Sequence, residues 1–302
     1  MDKIHQVGFI GLGNMGRPMA ALLIGAGYDL TVSDVNAKVL DRFVRQHGGK
    51  PAKSVAELGG GVQAVITMLP DGNSVREVLT GGEEDAGLLG SMPEGSILVD
   101  MSSSSPTGTQ DLGRILAARG IRMLDAPVSG GVARAVDGTL AIMVGGAPED
   151  IRRCRPLFEV MGKQIFETGI LGSGHAMKVL NNAVSAAGLI AAAEALLIGS
   201  RFGLKPELMV NILNASTGRN NSTENKFKQF VVSRKFNSGF SLDLMVKDLT
   251  TAVELAHAGK VPAIFSGACR ELWAAALGGL EKGVDHTAVV RWFEKMADLE
   301  LK

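Results

Sequence analysis

The first half of the chain alternates short, mostly apolar runs with stretches of helical periodicity, and this alternation restricts the fold more than any other feature. Continuous apolar runs of this kind are typical of strands buried on both faces of a parallel sheet. We predict strands at residues 7–10, 30–33, 64–69, 97–100, 123–125, 140–144 and 164–167, with helices between them that include 15–25, 37–47 and 74–79. The pattern predicts an α/β domain with a doubly wound parallel sheet over residues 1–169.

The second half changes character. Residues 174–202 form a long Ala- and Leu-rich stretch, apolar on nearly all sides, as expected of a helix packed among other helices. Further helices are predicted at residues 206–215, 223–234, 242–258, 262–277 and 285–299. Residues 170–302 therefore form a predicted all-helical domain, joined to the first by the long helix. Its most apolar part, residues 183–197, contains Glu194 and is shorter than the ~20 residues of a membrane span.

Composition and charge narrow the class of function. Lys+Arg and Asp+Glu both total 31, so the formal net charge is zero, whereas a nucleic-acid partner usually requires a basic surface. Cys154 and Cys269 have no second Cys or His nearby at metal-ligand spacing, so we expect two buried, reduced thiols and no metal site. The N-terminus lacks the pattern of a signal peptide, and we predict a cytoplasmic protein that binds neither nucleic acid nor membrane.

A glycine-rich loop follows the first predicted strand. Its sequence, Gly-Leu-Gly-Asn-Met-Gly, has the spacing G-x-G-x-x-G between a strand and a helix. Gly11 permits the tight turn, Gly13 lets a pyrophosphate approach the backbone, and Gly16 lets the helix pack against the strand. We predict that these glycines, with Asn14 and Met15, bind the phosphates of a dinucleotide at the positive end of the helix. The first domain is therefore predicted to be of the Rossmann type.

An acidic residue indicates which dinucleotide is bound. Asp34 ends the second predicted strand, about 20 residues after the loop, where a carboxylate accepts hydrogen bonds from ribose hydroxyls and repels a 2′-phosphate. No Arg stands beside it, although Lys38 and Arg42 follow on the next helix. We expect NAD to be the cofactor, and NADP is the less favoured alternative.

Four segments together resemble the β-hydroxyacid dehydrogenase family, which includes 3-hydroxyisobutyrate dehydrogenases and tartronate semialdehyde reductases. The resemblance covers nearly the whole chain, and the segments stand in the family's order. They are the loop at residues 9–16, the stretch Asp-Ala-Pro-Val-Ser-Gly-Gly at 125–131 followed by Gly-Thr-Leu at 138–140, the stretch 172–182, and Lys-Asp-Leu at 247–249. The resemblance implies hydride transfer between NAD(H) and a small β-hydroxy acid or its semialdehyde.

The resemblance identifies residues 172–182 as the catalytic segment, and Lys178 is the candidate general acid and base. Hydride transfer leaves charge on the substrate oxygen, which requires a proton donor nearby, and the reverse reaction requires a base. Asn182 lies four positions later, so the two side chains share one face of the helix. Burial and the positive helix end are expected to lower the pKa of Lys178.

Other site residues follow from the same resemblance. Ser129, Gly130 and Gly131 are predicted to bind the substrate carboxylate, Asp248 is predicted to orient the site, and Phe240 is a candidate for its wall. Positions that resemble those lining the cofactor are Leu69, Pro70, Ser74, Ser103 and Lys247. One departure is Arg134, which precedes Ala135 where the family often has Gly; it either lies on the surface or alters the entrance to the pocket.

Two other functions share this scaffold. An imine reductase-like or other reductase generally lacks the paired Lys and Asn, so Lys178 and Asn182 disfavour it. A non-catalytic NAD-binding protein is expected to have lost the lysine or gained a charged tail, and neither is seen. Candidate substrates range from 3-hydroxyisobutyrate to tartronate semialdehyde and 2-(hydroxymethyl)glutarate. The apolar helices of the second half predict a homodimer or homotetramer.

Overall fold

The computed structural model describes residues 3–81 and 87–302. Contacts within the chain divide it into two compact units, Met1–Lys178 and Val179–Lys302, here named unit 1 and unit 2. The boundary predicted between residues 169 and 170, where the alternation of strands and helices gives way to helices alone, stays a prediction.

Unit 1 is built on one mostly parallel sheet. Its strands are β1 (Gln6–Ile10), β2 (Asp29–Ser33), β3 (Lys50–Pro51), β4 (Ala64–Thr67), β5 (Ile97–Asp100), β6 (Arg122–Asp125), β7 (Val128–Ser129), β8 (Leu140–Gly145) and β9 (Gly162–Gly169). They follow the order β3-β2-β1-β4-β5-β6-β8-β7, and β9 also pairs with β8. The six strands from β3 to β6 in this order run parallel, which confirms the predicted doubly wound architecture.

The register of these strands places their carboxyl ends in one row. Ile10 lies opposite both Ser33 and Thr67, Thr67 lies opposite Asp100, and Asp100 lies opposite Asp125. In open parallel sheets, ligands bind beyond this edge. The loops that leave these five strand ends are therefore the part of unit 1 in which a binding site is expected.

Helices cover the two faces of this sheet. They are α1 (Gly16–Gly25), α2 (Ala37–His47), α3 (Val55–Gly59), α4 (Gly72–Thr80), α5 (Gly87–Ser91), α6 (Pro106–Ala117), α7 (Gly131–Val136) and α8 (Pro148–Met161). Successive strand residues alternate between two hydrophobic clusters: Phe9 and Ile66 belong to one, and Ile10 and Val65 to the other. Because neighbouring side chains of a strand point to opposite faces, both faces are buried.

The structure departs from the sequence prediction at one side of the sheet. β8 runs antiparallel to both β6 and β7, so the sheet is mixed there. β3 and β7 were not predicted because each has two residues, too few to show a period of two. β9 extends over Gly162–Gly169, beyond the predicted 164–167. Its parallel pairing with β8 contains two register shifts.

Unit 2 is helical. The helix α9 (Ser173–Phe202) begins in unit 1 and continues through unit 2, followed by α10 (Pro206–Asn214), α11 (Asn221–Asn225), a π-helix (Phe227–Val232), α12 (Leu242–Ala258), α13 (Ile264–Gly279), a 3₁₀ turn (His286–Ala288) and α14 (Val289–Ala297). The core contains the buried rings of Phe227, Trp273 and Phe293. Among the described residues of this unit, the one β pairing is an isolated bridge between Ser241 and Asp285.

The single helix predicted at residues 223–234 is two elements in the structure. Asn220 and Thr223 form a capping box that starts α11 two residues earlier than predicted, at Asn221. Lys226 then has φ −127° and ψ −46°, outside helical geometry, and the π-helix follows it. The break places Lys226 at a junction between two helical segments.

Helix α9 is the one described helix that is long and apolar enough to cross a membrane by length and composition alone. A core helix of a globular domain passes the same test. Several residues of α9, including Ala186, Leu189, Ala193 and Leu196, are buried in the core of unit 2. Packing within the protein thus accounts for part of the apolar character of α9, and side chains such as Ile198 and Phe202 are exposed.

Candidate active site

The glycines of the first loop have different structural roles. Gly11 has φ +97°, and a Cβ atom there would lie 2.3 Å from the carbonyl oxygen of Met68. A Cβ on Gly16 would lie 1.9 Å from the carbonyl oxygen of Gly11, so both positions require glycine for folding. Around the Cβ position of Gly13, in contrast, no atom of the described residues other than Gly13 and its chain neighbours lies within 4 Å. Gly13 therefore leaves open space of the kind that a bound phosphate needs.

The start of α1 provides N–H groups that can donate hydrogen bonds to such a phosphate. Asn14 and Met15 precede the helix, and α1 has no side chain capping its N-terminus. The first N–H groups of a helix have no partners within the helix, so an anion can satisfy them. The loop and α1 fit a dinucleotide pyrophosphate.

Asp34 is held against this loop. Its Oδ2 accepts a hydrogen bond of 2.7 Å from the backbone N–H of Leu12, and its Oδ1 accepts one of 2.8 Å from that of Asn36. Each carboxylate oxygen has a further acceptor site, so ribose hydroxyls can still bind. Lys38 and Arg42 are exposed on α2.

The predicted residues after β4 and β5 are linked by a hydrogen bond. The N–H of Leu69 donates to Oγ of Ser102 at 2.9 Å. Ser102 is buried and the following Ser103 is partly exposed, so the two serines differ in their access to solvent. Pro70 is exposed, and the hydroxyl of Ser74 donates to Asp71 at the start of α4. These contacts connect two neighbouring strand ends at the expected binding edge.

A buried polar network lies under this edge, and sequence reasoning missed it. The carboxylate of Asp100 accepts hydrogen bonds from the hydroxyls of Thr67 and Ser104 and from the N–H of Ser102. Asp125, at the end of β6, accepts from the N–H groups of Gly172 and His175, both at 2.7 Å. Both carboxylates are fully buried.

His175 connects this network to the first turn of α9. Its ring is fully buried, with Nε2 3.1 Å from the carbonyl oxygen of Ser102 and Nδ1 2.8 Å from Oγ1 of Thr109. Because a carbonyl only accepts, Nε2 carries a proton and donates it. The sequence alone assigns His175 only to the start of a helix. Its partners are 66 and 73 positions away and leave no local signal.

The predicted carboxylate-binding turn lies between β7 and α7. Gly130 has φ +133° and Gly131 has φ +71°, both in the region that favours glycine, and Ser129 before them is partly exposed. Arg134 is exposed, and its Cδ would lie 2.5 Å from a Cβ on Gly130. Arg134 thus lies on the surface with its stem against the turn, and an effect on the entrance to the pocket stays a prediction.

Asn182 and Asp248 form a buried pair in unit 2. The side-chain amide of Asn182 donates from Nδ2 to Oδ2 of Asp248 at 2.6 Å, and its Oδ1 accepts from Nδ2 of Asn181 at 3.2 Å. Asp248 also lies 3.5 Å from Nζ of Lys247. The structure therefore brings three predicted site residues together. Asn181, for which the sequence indicates only packing or backbone bonds, instead orients the amide of Asn182.

Lys178 lies one turn before Asn182 on α9 and is partly buried. Residues four apart on a helix share a face, so the amine of Lys178 and the amide of Asn182 project on the same side. The hydrogen bond to Asp248 fixes the amide and leaves its oxygen directed away from that carboxylate. This arrangement suits the positioning of a hydroxyl group beside a lysine.

Phe240 belongs to a second polar cluster of unit 2. Its ring meets that of His286 edge to face at 5.7 Å, and its carbonyl oxygen accepts from Nδ1 of His286 at 3.1 Å. Burial lowers the pKa of His286 to about 4. Lys226 lies in the same cluster, with Nζ 3.1 Å from Oγ of Ser185 on α9. Neither Lys226 nor Ser185 stands out in the sequence, because isolated polar residues without a spacing pattern carry no signal.

Arg219, a loop residue of unit 2, is paired within its own segment. Its side chain is exposed and its Nε is 3.6 Å from the carboxylate of Glu224.

In residues 3–81 and 87–302, no group of three or more His, Cys, Asp or Glu side chains is arranged to hold a metal ion. Cys154 and Cys269 are buried free thiols, and burial raises the pKa of both.

Family models match both halves of the chain. Residues 6–169 match the NAD-binding domain of 6-phosphogluconate dehydrogenase, and residues 172–293 match the NAD-binding domain of NADP-dependent 3-hydroxyisobutyrate dehydrogenase. A 2-(hydroxymethyl)glutarate dehydrogenase of Eubacterium barkeri is 35% identical over 304 residues, covering 100% of this chain and 99% of that protein. An NAD-dependent L-serine dehydrogenase of Pseudomonas aeruginosa is 39% identical over 261 residues, or 84% of this chain and 86% of that one.

Solved structures also include a dehydrogenase similar to this chain over nearly its whole length. The 3-hydroxyisobutyrate dehydrogenase of Mycobacterium tuberculosis with L-serine superposes with a TM-score of 0.86 at 32% identity, covering 96% of this chain and 99% of that one. An imine reductase of Streptomyces aurantiacus has a TM-score of 0.62 at 21% identity, a level at which only the fold is shared. The similarity to dehydrogenases extends over both units, and the similarity to imine reductases carries no argument about function.

Proposed function

Because the chain belongs to the β-hydroxyacid dehydrogenase family, we propose that it transfers a hydride between NAD and a small 3-hydroxy acid that ends in a hydroxymethyl group. In this proposal residues 1–169 bind the dinucleotide, and residues 170–302 serve substrate binding and assembly. The observation that carries it is the arrangement on α9, where Lys178 and Asn182 share a face and Asp248 fixes the amide at 2.6 Å.

The named relatives act on compounds with a common fragment. 2-(Hydroxymethyl)glutarate, L-serine and 3-hydroxyisobutyrate all consist of a hydroxymethyl group, a carbon with one variable substituent, and a carboxylate. The variable substituent is a carboxyethyl group, an ammonium and a methyl, respectively. The proposed substrate of this chain contains the same fragment, and oxidation converts its hydroxymethyl group to an aldehyde.

The residues of the glycine-rich loop and Asp34 fit the cofactor. The open space at Gly13 and the uncapped start of α1 would hold its pyrophosphate, and Asp34 would accept hydrogen bonds from its ribose. Leu69, Pro70, Ser74, Ser103 and Lys247 remain proposed contacts. When bound, the nicotinamide takes up a hydride in the oxidation and supplies one in the reduction.

Lys178 performs the proton transfer. In the oxidation its amine accepts the proton of the substrate hydroxyl while the carbon that bears this hydroxyl loses a hydride to the nicotinamide. The aldehyde therefore forms with no charge left on oxygen. In the reduction its ammonium returns that proton. Asn182 positions the hydroxyl, because the hydrogen bond to Asp248 fixes the side-chain amide and leaves its second N–H able to donate to the hydroxyl oxygen. Ser129, Gly130 and Gly131 bind the carboxylate through hydroxyl and N–H donors.

The enzyme is proposed to act in the cytoplasm as a homodimer or homotetramer. Two buried free thiols are consistent with a reducing compartment. Several apolar side chains of α9 and α10, such as Ile198, Phe202, Leu208 and Ile212, are half or more exposed, which favours assembly through unit 2. Light scattering at micromolar concentration measures the state, and a stable monomer contradicts the proposal.

Initial rates followed by NADH absorbance test the function. We expect turnover of at least one compound among 3-hydroxyisobutyrate, L-serine, 2-(hydroxymethyl)glutarate and tartronate semialdehyde. A 2-hydroxy acid such as lactate serves as the control, because its hydroxyl lies on the carbon next to the carboxylate. Binding of NADH without turnover of any of these compounds favours the alternative of a non-catalytic NAD-binding protein.

The same assay tests the cofactor. NAD is expected to give a higher kcat/KM than NADP, because Asp34 repels the 2′-phosphate of NADP. Asp34→Asn keeps the size of the side chain and removes its charge, so it should narrow this preference. Equal or better use of NADP by the unmodified enzyme contradicts the assignment.

A further inference from the structure

Lys226 is a basic residue in unit 2 with few partners. Its Nζ donates a hydrogen bond of 3.1 Å to Oγ of Ser185, although an ammonium has three N–H donors. Across the residues the structure describes, no carboxylate oxygen lies within 4.0 Å of this Nζ. The residue is partly buried, and burial lowers its pKa to about 8. A cation withdrawn from water in this way is stabilised by any anion that reaches it.

The carboxylate of Asp285 attracts Lys226, but its hydrogen bonds are made with other groups. Asp285 raises the pKa of Lys226, which opposes the effect of burial, but it lies beyond ion-pair distance. Its carboxylate accepts hydrogen bonds from the hydroxyl of Ser238, from the N–H of Gly239, and from both the N–H and the hydroxyl of Thr287. Asp285 therefore stabilises a turn and forms no ion pair with Lys226.

The position of Lys226 relates it to the proposed catalytic residues. Its partner Ser185 lies three residues after Asn182 and seven after Lys178 on α9. Residues at positions i, i+4 and i+7 of a helix lie on one face. The ammonium of Lys226 thus contacts the face of α9 that carries Lys178 and Asn182, about one turn beyond Asn182.

We propose that Lys226 is a specificity-determining residue that binds a second anionic group of the substrate, so that the preferred substrate is a β-hydroxy diacid. This inference rests on the proposed function and specifies its variable substituent. Seven residues of helix rise by about 10 Å, which separates Ser185 from Lys178 along the axis. The carboxylate common to all such substrates lies only two carbon–carbon bonds from the reacting carbon. An anion at Lys226 is therefore a more distant one.

The charge of Lys226 distinguishes the three substituents. A carboxyethyl group places a carboxylate where the ammonium can bind it. A methyl group gains nothing from the cation. An ammonium group, as in L-serine, is repelled by it. The expected order of kcat/KM is thus 2-(hydroxymethyl)glutarate first, 3-hydroxyisobutyrate second and L-serine last.

Steady-state kinetics of Lys226→Met with these three compounds test the proposal. Replacing a poorly paired buried charge with an apolar side chain of similar length leaves the fold intact. We expect the KM for the diacid to rise about 10- to 100-fold, the loss typical of a hydrogen-bonded ion pair, with kcat nearly unchanged. The KM for 3-hydroxyisobutyrate should stay within about threefold, and the KM for L-serine should fall.

Two variants serve as controls. Lys226→Arg keeps the charge and should recover most of the affinity for the diacid. Lys228→Met removes a cation only two residues away, on the exposed side of the π-helix where Lys228 bonds to Asn211, and should leave all three KM values unchanged. Equal loss for the diacid and for 3-hydroxyisobutyrate overturns the proposal, as does the absence of any preference for the diacid in the unmodified enzyme.

A binding measurement separates this proposal from the proposed function. Glutarate has two carboxylates and no hydroxyl to oxidise, and we expect it to raise the Tm of the unmodified protein and of Lys226→Arg but not of Lys226→Met. Butyrate, with one carboxylate fewer, should have no such effect. If no hydroxy acid is oxidised but glutarate binds in this pattern, the proposed function fails and the anion site stands. If 3-hydroxyisobutyrate is turned over but glutarate does not bind, the proposed function stands and the anion site fails.

Discussion

Two basic side chains, His175 in unit 1 and Lys226 in unit 2, are withdrawn from water in different ways. Both ring nitrogens of His175 have hydrogen-bond partners, and carboxylate oxygens of Asp100 and Asp125 lie 3.7 and 3.8 Å from them. Within the described part of the chain, Lys226 has one hydrogen-bond partner, the hydroxyl of Ser185. The protein alone thus satisfies the hydrogen-bonding capacity of His175, and it does not satisfy that of Lys226.

This difference separates a structural role from a binding role. A buried network whose members are all hydrogen-bonded defines one arrangement of the backbone, and removing a member leaves its partners without theirs. A poorly paired cation contributes little to the fold and gains most from a ligand. We therefore expect substitutions of His175 to reduce stability, and those of Lys226 to change substrate affinity.

Lys178→Ala should have the largest effect, because it removes the proposed proton-transfer group itself. A general acid or base contributes about 10²- to 10⁴-fold in rate. We therefore expect kcat to fall by at least about 100-fold in steady-state assays. The dissociation constant of NADH, measured by fluorescence, should stay near that of the unmodified enzyme. A raised KM with nearly normal kcat would assign Lys178 to substrate binding.

Asn182→Ala tests whether the buried pair with Asp248 acts through Lys178. We expect a smaller fall in kcat, because the lysine remains. The double variant should lose much less activity than the sum of the two single losses in free energy, since the two residues act as one unit. Additive losses in the same kinetic assay contradict the positioning role of Asn182.

His175→Leu should destabilise the protein by about 2–4 kcal/mol, because the hydroxyl of Thr109 and the carbonyl of Ser102 lose a buried partner. His175→Gln can still donate to Ser102 from a terminal amide and should lose less. Urea denaturation measures both, with Lys226→Met as the matched comparison, expected within about 1 kcal/mol of the unmodified protein. A larger loss for Lys226→Met than for His175→Leu would reverse the comparison.

The smallest predicted effect is a pH dependence of diacid binding. Lys226 is cationic below its pKa of about 8, so the KM for 2-(hydroxymethyl)glutarate should be lowest there and rise about tenfold as the amine becomes neutral. Bound anion favours the charged form, which moves the midpoint above 8. Asp285 has a lowered pKa and stays ionised, while His286, with a pKa of about 4, stays neutral.

The control for this dependence is the substrate with one carboxylate. The KM for 3-hydroxyisobutyrate should not follow the same rise, and Lys226→Met should abolish the rise for the diacid. A rise that persists in Lys226→Met originates from another group.

Much of unit 1 was predictable because its signals are local. A buried strand shows as a short apolar run, and the loop from Gly11 to Gly16 is recognised by spacing alone. The antiparallel pairing of β8 was not predictable, since strand direction depends on the path of the chain between strands. The break at Lys226 was not predicted because neither Gly nor Pro marks it in the sequence.

The sequence by itself determined those parts of the site whose residues are close along the chain. Lys178 and Asn182 share a face because any helix places residues four apart together, and Asp34 follows the second strand at the spacing of a ribose-binding acid. Only the tertiary structure decided that Asp248 holds Asn182 across 66 positions and that Lys226 meets Ser185 across 41. Such contacts depend on which helices lie against one another, and helix packing is a property of the folded chain that no short pattern encodes.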